Sequence, residues 1–131
     1  MRLSLVLGLL LLAGPAAAET WKPVAGEPDT YVDTDFLKVD LQSGLVIVRT
    51  AVGKPGGAGY AEWSDKTPIA VSAVDCKADT FKDLGLDFEG DSPLPDNWRS
   101  RKTQPGAKYA VGQAGLDACK HRETLPKVTL P

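Results

Sequence analysis

Cys119 and His121 stand two residues apart in GQAGLDACKH; they are one of only two cysteines and the sole histidine of a 131-residue chain. A thiol beside an imidazole raises nucleophilic catalysis or zinc binding. A nucleophilic cysteine needs a base within hydrogen-bond reach and a third group to orient that base, whereas residues at i and i+2 of a helix point apart. Structural zinc takes four ligands, and a lone Cys-x-His pair supplies too few. Glu62 and Asp65 flank Trp63 and offer the paired carboxylates of a small hydrolase. That chemistry requires surroundings that separate their two pKa values, and near neighbours in a polar segment are expected to be solvated. Asp33, Asp35 and Asp40 invite a calcium reading, but Leu37 holds the fifth position and the glycine and closing glutamate of an EF-hand are missing; a polar turn is expected. GKPGGAGY (53–60) lacks the Gly-Lys-Ser/Thr ending of a phosphate loop and reads as a hairpin connection. Trp98, Arg99, Arg101 and Lys102 form a basic cluster in an acidic chain. A guanidinium fork pairs with carboxylates and an aromatic ring anchors an interface, which makes these four the candidate interaction surface. The competing reading is a solvated strand face that neutralises Asp87, Glu89, Asp91 and Asp96.

The compartment decides between these chemistries. MRLSLVLGLLLLAGPAAA carries Arg2, an apolar run from Leu3 to Ala13, and small residues up to Ala18 before Glu19. This is the pattern of a secretory signal peptide cleaved between Ala18 and Glu19. No later run approaches the length of a membrane anchor, and no lipid-accepting cysteine follows the cleavage point. Export to the periplasm is expected, with secretion or surface display as the further alternatives. An oxidising compartment turns two cysteines into one disulfide, Cys76 with Cys119. Closing that loop removes denatured-state entropy worth about 4 kcal/mol. Residues 1–18 hold one of the 15 Lys and Arg, so the mature chain sets 14 cations against 17 Asp and Glu. A mildly acidic domain of this size excludes the usual basic nucleic-acid binder, and no cofactor or metal is expected.

The remaining sequence supplies elements to carry these residues. TWKPVAG predicts a first strand anchored by Trp21, with Pro23 suited to a sheet edge. A helical turn over DTDFLK, capped by Asp33 or Thr34, is expected next. Leu45-Val46-Ile47-Val48 is apolar on both faces, as in a central strand covered on both sides. PIAVSAVDC (68–76) reads as a second interior strand. KADTFKDLGLDFEG (77–90) alternates, placing Leu84, Leu86 and Phe88 on one face of a half-buried strand. WRSRK (98–102) is expected to add a strand, and a turn from Thr103 to Gly106 leads into AKYAVGQAGLDACKH. There Ala107, Ala110, Val111, Ala114 and Ala118 make a stripe at helical spacing. Gly112 and Gly115 each cost a helix about 1 kcal/mol, and their presence points to close packing. His121 is expected as a solvated residue at the helix end. Residues 19–121 then form one domain, and 122–131 an irregular or loosely docked tail.

Trp21, the Tyr31-Val32-Asp33 triplet, the strand GLVIVRT, the Val74-Asp75-Cys76 ending and a terminal helix closing on Cys119 together resemble the surface-adhesin protein E family of proteobacteria. The resemblance spans roughly residues 20–119. It implies an exported α+β domain in which one C-terminal helix packs on an antiparallel sheet of about six strands, stapled by a disulfide at Cys76 and Cys119. It also implies adhesin-like binding of extracellular proteins such as vitronectin and laminin, without catalysis. Arg49 departs from the aromatic residue the family often carries on GLVIVRT. The expectation is a non-enzymatic binding protein of the envelope, or a periplasmic accessory or inhibitor protein that covers another envelope protein.

Overall fold

The computed structural model describes residues 20–55, 69–86 and 94–131. It is an α+β domain: eight short strands in one sheet and a single α-helix among the described residues. The strands are β1 (Trp21–Pro23), β2 (Thr30–Asp33), β3 (Lys38–Asp40), β4 (Val46–Val52), β5 (Ile69–Asp75), β6 (Thr80–Leu86), β7 (Thr103–Pro105) and β8 (Lys127–Val128), with α1 spanning Ala110–Cys119. The main path runs β1-β2-β4-β5-β6-β7, antiparallel throughout. Pro23 sits on the β1 edge, where its missing N–H leaves no ladder bond unmade.

The doubly apolar LVIV run becomes the middle of the sheet. Val46 and Val48 join Val39, Val74, Phe81 and Ala118 on the helix side. Leu45 and Ile47 join Val71, Ala73, Leu84 and Trp98 on the opposite side. Strand alternation sends consecutive β4 residues to opposite faces, and both faces are covered, so every position must be apolar or paired.

One edge of β4 carries two strands in succession. β2 pairs with Thr50–Val52 and β3 with Val46 and Ile47. The chain between them loops out beside Val48 and Arg49. Here lies the expected single turn over DTDFLK with Asp33 as its cap: Asp33 Oδ1 accepts the Asp35 amide at 3.1 Å and its carbonyl the Phe36 amide at 3.3 Å. On β6 the register shifts opposite Val71 and Ser72, Leu84 is left without a ladder partner, and Gly85 adopts φ +110°. Only glycine takes that backbone cheaply, and the bulge turns Leu84 into the second core cluster. Of the expected Leu84, Leu86, Phe88 stripe, Phe88 lies outside the described residues.

The small face of α1 has a steric cause. A Cβ on Gly115 would overlap the Val74 side chain, and one on Gly112 would overlap the Gly106 carbonyl. Both glycines are buried with Ala114 and Ala118. Cys119, the last residue of α1, is bonded to Cys76 in the β5–β6 turn with Cα atoms 5.7 Å apart, a normal span for a disulfide.

Three expectations fail in the last third of the chain. WRSRK is not a strand: Trp98–Ser100 forms a 3-10 turn. Asn97 enters it at φ +55°, a left-handed conformation that asparagine tolerates better than most residues, and its carbonyl accepts the Ser100 amide and hydroxyl. The strand lies further on, where Thr103–Pro105 pairs with β6 in place of the expected turn. Nor is 122–131 loosely docked. After a 3-10 turn at Arg122–Thr124, Lys127 and Val128 pair in parallel with Val39 and Asp40, and Leu130 packs on the second core cluster.

Candidate functional site: two arginine pairs and a docked strap

The basic cluster read from sequence splits in two. Trp98 is 2% exposed, inside the core rather than at an interface. Arg99 turns inward beside it, its guanidinium carbon 4.4 Å from the ring centroid. Arg101 and Lys102 remain exposed on the approach to β7. Arg101 donates to the Asp83 carbonyl at 3.0 Å, and Lys82 Nζ donates to the Arg101 carbonyl at 2.5 Å. These three cations therefore line the β6–β7 edge.

Arg99 grips Asp40 with a two-pronged fork: Nε to Oδ2 and Nη2 to Oδ1, each 3.1 Å. The same guanidinium donates to the Leu130 carbonyl at 2.8 Å and to the Pro131 main-chain oxygen at 3.4 Å. Trp98 Nε1 donates to that Pro131 oxygen at 2.9 Å. Asp40 also accepts the Ser43 amide at 3.0 Å, the Ser43 hydroxyl at 2.5 Å and the Leu130 amide at 3.2 Å. Burial alone would push its carboxyl up. Arg99, Ser43 and the Leu130 amide overcome that and hold it well below the usual carboxylate range. Asp40 thus joins three segments: the β3–β4 turn, the Trp98 turn and the 127–131 strap.

The second pair lies nearby in sequence but elsewhere in the sheet. Arg49 Nη1 meets Asp33 Oδ2 at 3.1 Å, with side chains 5% and 2% exposed. The guanidinium sits 5.6 Å from the Trp21 ring and 5.3 Å from Phe36. Lys38 Nζ lies 4.0 Å from the same Phe36 ring. Its pKa is lowered by burial first and by Arg49 second, against the opposing pull of Asp33.

Asp33, Asp35 and Asp40 thus go to separate tasks, since Asp35 accepts the Thr20 hydroxyl at 2.6 Å. Among the described residues no group of three or more His, Cys, Asp or Glu gathers as a cation site would. The Cys119 thiol is consumed by its bridge, and His121 is exposed just beyond the helix. Glu62, Trp63 and Asp65 lie outside the described residues, as do Ala18 and Glu19. No described helix is long and apolar enough to cross a membrane.

Sequence reasoning missed both pairings, although one signal was present. A charge in the middle of GLVIVRT must be matched once that strand is covered on both faces, and the acids at the ends of TYVD and KVD were there to match it. The structure gives Asp33 to Arg49 and Asp40 to Arg99. Compared with family models, curated proteins and solved structures, the chain matches none.

Proposed function

We propose that this is an exported interaction domain of the bacterial envelope, of the surface-adhesin E-like kind, that works by binding another protein. The observation that supports it most is the Cys76–Cys119 bridge behind an apolar leader, because structural disulfides persist where the compartment is oxidising. The binding edge is the β6–β7 border, with Lys82, Arg101 and Lys102 beside the outermost strand β7. Cations on a sheet edge discourage indiscriminate pairing and favour an acidic partner. A second reading, a periplasmic accessory or inhibitor protein, draws on the expected cleavage after Ala18, which leaves Glu19 rather than a lipid-accepting cysteine at the cleavage point.

Protease treatment of whole cells separates the two readings: digestion supports display and protection supports a periplasmic partner. Arg101→Ala/Lys102→Ala should weaken capture of immobilised vitronectin or laminin by severalfold while thermal stability is unchanged. Undiminished capture would remove this edge from the interface.

A further inference from the structure

The sequence of the outer strand β7 closes it to strand addition. The Gly106 amide donates to the Asp79 carbonyl at 2.9 Å, one step beyond the Thr80–Pro105 pair. Ladder bonds between antiparallel strands alternate, so Gln104 exchanges them with Phe81, while Thr103 and Pro105 turn their main-chain groups away from the sheet. Proline has no N–H, and β7 is left with the Thr103 amide alone to offer a further strand. Pro23 takes the equivalent outward position on β1. What the β6–β7 border presents instead is side chains. Tyr109 is 45% exposed although its ring meets the buried Phe81 ring edge-on, with centroids 5.5 Å apart. Its backbone is fixed: the Tyr109 amide bonds to the Gly106 carbonyl at 3.3 Å, and the Tyr109 carbonyl accepts the Gln113 amide at 3.0 Å. Phe81 pairs with Gln104 and Lys82 with Thr103. The ring therefore stands beside the middle of β7 and the Lys82, Arg101 and Lys102 cations at its start, along a strand of roughly 10 Å. Lys108 is exposed next to Tyr109 in the chain. Among the described residues no ion pair engages these four cations. Lys82 follows Phe81 and so faces the other side of the sheet; the patch wraps the edge.

We propose that the β6–β7 border receives an acidic segment of a partner protein that crosses the edge and docks by side chains. One apolar residue of that segment packs on the Tyr109 ring, and its carboxylates meet Lys82, Arg101, Lys102 and Lys108. The four cations gather in a chain that sets 17 Asp and Glu against 15 Lys and Arg. A carboxylate-bearing partner is thus drawn to this border ahead of the rest of an acidic surface. The Tyr109 ring supplies what charge alone does not. An aromatic side chain already ordered by packing loses little freedom on binding, and such rings are the usual anchors of protein interfaces. The proposal rests on the interaction reading above and adds to it the anchor, the mode of docking and the chemistry of the segment.

The test titrates the mature protein, by fluorescence anisotropy, with fluorescein-labelled poly-L-glutamate, a glutamate–leucine copolymer of matched length, and labelled heparin. The copolymer should bind at least about fivefold tighter than poly-L-glutamate. Tyr109→Ala should remove that advantage, Tyr109→Phe should retain it, and Arg101→Ala/Lys102→Ala should weaken both polymers. In the unmodified protein the Tyr109 ring resonances should shift with the copolymer and not with poly-L-glutamate, a readout that holds even if Tyr109→Ala fails to fold. Equal binding of the two polymers, or an advantage that survives in Tyr109→Ala folded by circular dichroism, overturns the anchor. Heparin bound more tightly than the copolymer, with Tyr109→Ala without effect, makes the border a polysaccharide site and overturns the choice of partner. Pro105→Ala restores an outward amide and should not tighten copolymer binding. Tightening of about tenfold together with protection of the Thr103 amide means strand addition and overturns the docking mode. The polymer titrations stand apart from the capture of vitronectin and laminin. Polymer binding as expected beside no capture of either protein removes the adhesin-like reading and leaves the site, whereas capture untouched by Tyr109→Ala leaves that reading and removes the site.

Discussion

The Arg49–Asp33 and Arg99–Asp40 pairs share the same chemistry and the same 3.1 Å separation, yet they stand in opposite relations to the fold. Arg49 and Asp33 are both shut in, at 5% and 2% exposure, between adjacent strands of one sheet. Arg99 is 26% exposed and its partner 0%, and the pair spans segments far apart in sequence. If Asp33 is lost, the buried Arg49 guanidinium loses the carboxylate that faces it. If the Arg99 grip is lost, Asp40 still has Ser43 and the Leu130 amide. The first pair is a weld and the second a clasp, and what the clasp holds is the strap.

The sharpest way to break this contrast is Asp33→Ala. Removing one partner of a buried pair costs about 3–5 kcal/mol, and urea denaturation should show a loss of that size. A loss under 1 kcal/mol would mean that Arg49 reaches solvent and that the weld is no weld. Next in size is Cys76→Ser/Cys119→Ser, which should cost about 2–4 kcal/mol. The bridge lies on the helix side of the sheet, away from the strap, so it should lower global stability while the order of opening of the segments stays as it was in native-state exchange. Arg99→Ala should cost about 1–3 kcal/mol, the usual range for hydrogen bonds removed from a buried acceptor, and should speed exchange of the Leu41 and Leu130 amides.

The clasp also makes stability depend on pH through Asp40. The folded Asp40 carboxyl lies below its ordinary value of 3.8. Beneath that value the unfolded chain holds a proton that the folded chain does not, so falling pH favours unfolding. The contribution of Asp40 is fully present above pH 3.8 and is lost as pH falls toward its depressed folded value. Urea denaturation at pH 5 and at pH 3 should therefore show a smaller acid loss in Asp40→Asn than in the unmodified protein. The smallest stability effect is expected from Arg101→Ala/Lys102→Ala, within about 0.5 kcal/mol, as for most surface substitutions.

Sequence reading fared best where local pattern and tertiary demand agree. β4 and β5 are legible because burial on both faces requires uninterrupted apolar runs, and α1 because alanines recur at helical spacing where glycines allow contact with Val74. The disulfide was legible from the count of two cysteines together with the expectation of export. Reading failed where distant side chains decide. Trp98 looked like an exposed anchor because its burial depends on Ile47, Leu84 and Leu130 arriving from elsewhere. β7, being polar and ending in Pro105, carries no strand signature and is a strand only because β6 offers it an edge. The strap looked loose because it is short, lies between Pro126 and Pro131 and carries no helical period. Its hold comes through backbone, from Asp40 at 90 positions' separation from Leu130 and from Arg99 at 59 positions from Asp40. No local pattern encodes such contacts.

Native-state amide exchange under increasing denaturant compares weld and clasp within one molecule. The Leu41 and Leu130 amides, which bond to the strap and to Asp40, should open together at a free energy well below that of the β4 and β5 amides, and Arg99→Ala should lower the first group while barely moving the second. Strap amides that exchange only through global unfolding, in step with β4 and β5, would contradict the account.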